Sequence, residues 1–191
     1  ESSAASDGYK GQVILKYLES DTVAGQYNIA FTTLLAIYLF PAAIYQKYLL
    51  PKIHNVSKDT QSLAHLHAEG AKMMLITGTA AAVILWIASD FFIQIFFGDN
   101  FSNSAAYLKI LALGIPPMFV AFSAGAIIST GSLIQRKAAL MFIVALTNIL
   151  LNISFIPMYG AASAAWTTVA CSYLLMTLYY HAAAKHLRRN L

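Results

Sequence analysis

Five groups of side chains in this sequence could do chemistry, and a sixth decides where the chain can bend. Asn148 and Asn152 stand four residues apart with Thr147 beside them, which puts two amides on one face of a helix. Asp90 and Gln94 form a second four-residue pair, and Lys16 precedes Glu19 by about one turn, close enough to pair with it. His54, His65 and His67 cluster, the last two as His-x-His, a spacing that can ligate a metal on a strand, but with no Cys and no His-Glu-x-x-His pattern nearby. Cys171 is the only cysteine, so neither an intrachain disulfide nor a thiolate metal cluster can form. Pro116-Pro117 and Pro41 carry no reactive group but decide where a helix can bend.

What these groups can do depends on their solvent, and the composition sets that solvent. Of the 191 residues 59% are hydrophobic and only 10% charged, with a mean hydropathy of +0.63. Soluble domains carry about 25% charged residues, so lipid surrounds most side chains here. The net charge of +4 does not indicate nucleic acid, because the basic residues sit at the ends of apolar runs and form no stripe.

A hydrocarbon core of roughly 30 Å takes about 20 residues of helix, and backbone amides in lipid must pair within their own segment. Apolar runs of that length occur at about 26–50, 71–97, 105–130, 138–156 and 162–184. The expectation is an all-α membrane protein, one helical bundle over 1–191, with five transmembrane helices and a partial helix at 12–19 (Gln12 to Glu19) after a polar segment at 1–11. The chain begins at Glu1 without Met and without a secretory-type leader, which reads as a fragment or a processed chain. The separators are Pro51 to Gly70, Gly98-Asp99-Asn100, Gly131 to Lys137 and Pro157 to Gly160, the short ones implying antiparallel neighbours.

Basic residues orient the bundle. Lys47, Lys52, Lys58 and Lys72 flank the first long connection, Arg136 and Lys137 the third, and Lys185, Arg188 and Arg189 follow the last span. All fall on one side of an alternating bundle, while the other side has only Lys109 beside Asp99. The Lys/Arg-rich side, with the C-terminus, is expected in the cytoplasm.

Within lipid each polar group then has two readings. Asn148 and Asn152 are interhelical glue or part of a substrate path. Pro116, Pro117 and Pro41 are hinges for a conformational cycle or bends that pack well. Lys16 snorkels to the surface or meets an anionic headgroup across a cavity. Asp90 reaches water at the outer end of its span or binds a coupling ion. The histidines are expected to be solvated loop residues, with no metal site and no cofactor. The run Ala161-Ala162-Ser163-Ala164-Ala165, with Thr167, Thr168 and Ser172, allows close helix approach and points to packing.

Several phrases also form a series. Val23-Ala24-Gly25-Gln26-Tyr27-Asn28-Ile29-Ala30, then Phe97-Gly98-Asp99-Asn100-Phe101, then Asn148-Ile149-Leu150-Leu151-Asn152 with Ile156-Pro157-Met158-Tyr159-Gly160 and Ala164-Ala165-Trp166-Thr167-Thr168, resemble, in order, landmarks of the polysaccharide-export flippases. These O-antigen and lipid-linked oligosaccharide translocases belong to the multidrug/oligosaccharidyl-lipid/polysaccharide (MATE-like) superfamily. The resemblance runs from about Gln12 to Leu187 and covers the C-terminal six-helix half of a twelve-helix transporter. Ser163 stands where the family commonly has glycine, and Glu1 to Gly11 is polar where its seventh helix is apolar.

The resemblance implies a bacterial inner-membrane protein that is not an enzyme. It implies a cargo of polyprenyl-pyrophosphate-linked oligosaccharide, contact with membrane lipid, and a missing N-terminal half or partner bundle, without which the chain would not transport. It also implies Tyr27 and Asn28, with Lys16, Asn148 and Asn152, as candidates along the substrate path. Each sugar hydroxyl costs roughly 4–8 kcal/mol to move from water into alkane, so such cargo needs a hydrated cleft. Competing expectations are a multidrug or cation antiporter of the same superfamily, for which Asp90 is the coupling candidate, and a non-transporting fragment. A membrane-embedded enzyme fits poorly, since the outer loops offer little beyond Asp99, Asn100 and Tyr159.

Overall fold

The computed structural model describes residues 20–44, 51, 60–129 and 133–190. Among them six α-helices follow in order: α1 (Asp21–Ile44), α2 (Thr60–Phe97), α3 (Ser102–Ala112), α4 (Ile115–Ile127), α5 (Leu133–Tyr159) and α6 (Ala161–Asn190). A short 3₁₀ turn, Asp99–Phe101, joins α2 to α3. Helices α1, α2, α5 and α6 are each long and apolar enough to cross a bilayer, and α3 with α4 makes one further span bent by 48°. The chain is therefore a multi-pass, all-α membrane protein, with up to five crossings among the described residues. The partial helix expected at 12–19 lies outside the described residues.

The burial pattern is that of a protein dissolved in lipid. In α2 the buried positions are His67, Gly70, Met74, Gly78, Ala82, Leu85, Ser89 and Ile93, a narrow seam repeating every three or four residues and made mostly of small or polar side chains. The large apolar residues of the same helix, among them Ile76, Ile84, Ile87, Phe91 and Phe96, point outward. Helix α5 buries Val144, Asn148, Asn152 and Ile156 at strict four-residue spacing and exposes Phe142, Leu150, Ile153 and Met158. Small residues inside and large ones outside suit helices that associate by close packing rather than by escaping water.

The bent α3–α4 span is the hub. Eleven of the thirteen residues of α4 are buried; α2 and α6 pack along it, α1 packs mainly on α3, and α5 attaches through α6. Gly78 marks a close approach of α2 to α4: a Cβ there would lie 3.0 Å from both Phe119 Cβ and Pro116 Cα.

Helix ends follow local chemistry. Ser20 accepts the Val23 amide on its hydroxyl at 3.3 Å, and Asp21 adds an acid to the first turn of α1. Among the described residues Gly98 (φ 82°) and Gly160 (φ 69°) make their turns with positive φ, a conformation that other residues adopt at a cost. At the far end of α4, Lys137 donates to Ser129 Oγ at 2.6 Å, and Ser129 donates to Gly125 O at 2.6 Å, so a cation closes a helix C-terminus.

Three sequence expectations need correction. The polar stretch before Gly70 is not all loop, because α2 starts at Thr60 and carries His65 and His67 on its first turns. Pro157 is not a separator but sits inside the last turn of α5, and Gly160 alone makes the break. The prolines of the third span do not interrupt a helix from within: the break is at Leu113–Gly114, and Pro116 and Pro117 open α4, where the first amides have no intrahelical acceptor to lose.

Candidate functional site

Helix α1 carries both a core-facing and an open face. Tyr27, Ala30, Phe31, Leu34, Tyr38 and Pro41 are buried. Tyr27 shares a 3.2 Å hydrogen bond with Thr168 of α6, stacks on Phe31 and meets Tyr107 of α3 edge-on, both at 6.1 Å. Its hydroxyl thus ties α1 to α6. Gln26, also buried, donates to Asn100 O and accepts from Asn103, each at 3.4 Å, clasping α1 to the α2–α3 turn.

The open face of α1 is different in kind. Asn28 and Thr32 are exposed one turn apart, and the Thr32 hydroxyl donates to Asn28 Oδ1 at 3.3 Å. Asn28 lies about 10 Å along the helix from Asp21. An amide and a hydroxyl on the outside of a crossing helix are costly to leave facing hydrocarbon.

Asn148 and Asn152 lie elsewhere, buried on α5 where it packs against α6. The Asn152 amide donates to Asn148 Oδ1 at 2.9 Å, while Asn152 Oδ1 has no hydrogen-bond partner among the described residues. Beside this seam an open groove of about 490 Å³ runs between α5 and α6, walled by Leu151, Phe155, Tyr159, Ser163, Trp166 and Thr167.

Asp90 is exposed and ion-paired with Lys109 of α3 at 2.5 Å, and the Lys109 ammonium stands 5.8 Å from the centre of the Trp86 ring. Gln94, one turn on, donates to Asp99 at 3.0 Å. Pro41 and Pro117 are buried and Pro116 half-buried. Lys16 and His54 lie outside the described residues. The structure thus separates the sequence candidates into the α1 face, the α5–α6 seam and the outer α2–α3 pair.

The expectation of solvated loop histidines is met for His65 only in its exposure, since His65 lies on α2 and 3.5 Å from Glu69, and it fails for His67. His67 is buried, its ring 4.9 Å from Tyr180 of α6, and neither ring nitrogen has a hydrogen-bond partner among the described residues. It belongs to the α2 seam, which continues below the apolar run. Sequence reasoning also missed the Asp90–Lys109 pair. Its signal was present: the two residues flank the turn at Gly98 at comparable distances, as partners across a helical hairpin must.

Residues 56–158, just over half of the chain and reaching from before α2 to the last turn of α5, match the MatE family. No curated protein matches the chain, and no solved structure does. The matched stretch takes in α2, the bent α3–α4 span and α5, while α1 and α6 lie outside it. The chain belongs to the MatE family and is accordingly a membrane transporter rather than an enzyme.

Proposed function

We propose that this transporter moves polyprenyl-pyrophosphate-linked oligosaccharide from the inner to the outer leaflet of a bacterial inner membrane, with its C-terminus in the cytoplasm. The observation that carries this reading is the exposed Asn28–Thr32 pair on α1. An amide and a hydroxyl offer uncharged donors and acceptors, the complement of sugar hydroxyls, in a place where lipid would penalise them. A second bundle facing α1 would complete a wet cleft, with the lipid tail left in the bilayer. The phrase-by-phrase resemblance to the oligosaccharide flippases supports the same cargo.

The cation-antiporter reading asks for an acid free to take a proton or an organic cation. Among the described residues the acids are Asp21, Glu69, Asp90 and Asp99, and Asp90, the one within an apolar run and near its outer end, is already ion-paired with Lys109. This favours the uncharged-sugar path.

The test is transport by membranes in which the chain is produced together with a flippase N-terminal half. Outward appearance of a polyprenyl-pyrophosphate-linked sugar is read by an external glycosidase. The wild-type pair should expose the sugar, and Asn28→Leu should slow it by about tenfold, the effect of losing roughly one interaction with the moving cargo. Flux of a fluorescent organic cation with no sugar exposure would instead establish the antiporter reading.

A further inference from the structure

We propose that Asp90 and Lys109, with Trp86 beneath them, form a binding site for the headgroup of an aminophospholipid, whose phosphate is taken by Lys109 and whose primary ammonium is taken by Asp90. The inference stands apart from the cargo, and it rests on where the pair lies, what surrounds it and which valences it leaves open.

Depth comes first. Lys72 and Asp90 bracket seventeen consecutive uncharged residues of α2 and stand about 27 Å apart along the helix axis at 1.5 Å per residue. That separation is close to the roughly 30 Å thickness of a hydrocarbon core. With Lys72 at one boundary, Asp90 comes to the other, where glycerol and phosphate begin. Trp86, half exposed and one turn deeper, occupies the level at which indole rings gather in membrane proteins.

The surroundings face lipid. Ile84, Ile87 and Phe91 are all exposed around the pair, so this flank of α2 carries the apolar coat of the bundle. The ion pair is open on one side of this coat: the Asp90 side chain is 69% exposed, while that of Lys109, 32% exposed, is partly covered by the bundle. What meets it in a membrane is a lipid headgroup.

Open valences then select the headgroup. The Lys109 ammonium has three donors, of which one goes to Asp90 and one side faces the Trp86 ring, leaving a donor for a phosphodiester oxygen. Asp90 accepts through Oδ2, and its Oδ1 accepts no bond among the described residues, leaving an acceptor for an N–H donor. One cation beside one anion complements a zwitterion. An anionic headgroup without an amine would satisfy Lys109 but be repelled by Asp90, and a quaternary ammonium has no N–H to give. A primary amine with a phosphate satisfies both.

The experiment strips the purified chain of lipid in detergent and offers equimolar phosphatidylethanolamine, phosphatidylcholine and phosphatidylglycerol. Lipid retained through size exclusion is counted by mass spectrometry. Wild-type protein should retain phosphatidylethanolamine at least about fivefold over each of the others, as two charge-assisted contacts at an interface allow. Asp90→Asn should bring phosphatidylethanolamine and phosphatidylcholine to within about twofold, and the double variant Asp90→Leu with Lys109→Leu should lose all discrimination. The double variant leaves no charge unpaired, so its helix content and elution should match wild type. Equal retention of the three lipids by wild type, or an unchanged preference in either variant, overturns the proposal.

Discussion

The Asn152 side chain hydrogen-bonds to Asn148 one turn back on its own helix, at 2.9 Å and with both residues about 1% exposed, rather than to a partner on α6. This makes the pair a mutually bonded unit whose Asn152 Oδ1 is left without a partner among the described residues. Removing one member therefore leaves the other exposed to its full desolvation penalty, whereas removing both does not. Asn148→Leu should destabilise the detergent-solubilised protein by about 1–2 kcal/mol, and the double Leu variant by less than the sum of the single changes. Thermal unfolding of the four proteins as a double-mutant cycle reads this directly. Additive effects would mean that the two amides act separately.

Gly78 and Gly25 separate packing from backbone preference. Both lie in helices, but only Gly78 has another helix against it, with Phe119 and Pro116 at 3.0 Å from where a Cβ would stand and nothing within 4 Å at Gly25. Gly25→Ala should be neutral or stabilising by up to about 1 kcal/mol through helix propensity. Gly78→Ala should destabilise by about 1–3 kcal/mol, since α2 must move off α4. Equal melting temperatures for the two variants would show that the α2–α4 crossing yields more readily than its geometry indicates.

The crossings were legible because lipid leaves a coarse signal: apolar length and missing charge locate α1, α2, α5 and α6 without reference to contacts. The seam of α2 was also legible in principle, since Gly70, Gly78, Ala82 and Ser89 are small residues at helical spacing within large ones. His67 was misplaced because the stretch from Thr60 to Gly70 is polar enough to read as loop, and polarity cannot tell a loop from a helix that has left the hydrocarbon. The Pro116-Pro117 bend was placed correctly to within a turn but given the wrong cause. Tyr27 and Asn28 are adjacent in sequence, yet one is buried and the other exposed, and only the packing of α1 on α3 and α6 shows which is core and which is open.

His67 supplies a prediction of sign. Its imidazole is enclosed against Tyr180, yet neither nitrogen is hydrogen-bonded among the described residues, so shape rather than polarity is what the site uses. His67→Phe keeps the ring contact and removes two unsatisfied atoms, and should leave stability unchanged or raise it by up to about 1 kcal/mol. His67→Ala should lower it by about 1–3 kcal/mol through the cavity left between α2 and α6. A Phe variant as unstable as the Ala variant would show that the nitrogens hold a bridging water.

The bend in the third span should survive loss of its prolines. Its turn is made by Leu113 N donating to Ile110 O at 3.1 Å and Gly114 N donating to Leu111 O at 2.9 Å, after which Met118 N bonds to Gly114 O at 3.2 Å as α4 begins. Pro116 and Pro117 come within the first three residues of α4, where amides lack intrahelical acceptors, so they remove no hydrogen bond there. Gly114 is packed more tightly, because a Cβ would stand 3.2 Å from Leu111 O and 3.3 Å from Ser172 Oγ. The double variant Pro116→Ala with Pro117→Ala should therefore keep the 48° angle and cost less than about 1 kcal/mol, while Gly114→Ala should cost about 1–3 kcal/mol. Distances between spin labels at the exposed positions Ala106 on α3 and Phe142 on α5 report the angle through the hub. If the proline variant straightens the span and shifts that distance while Gly114→Ala does not, the bend belongs to the prolines and not to the turn before them.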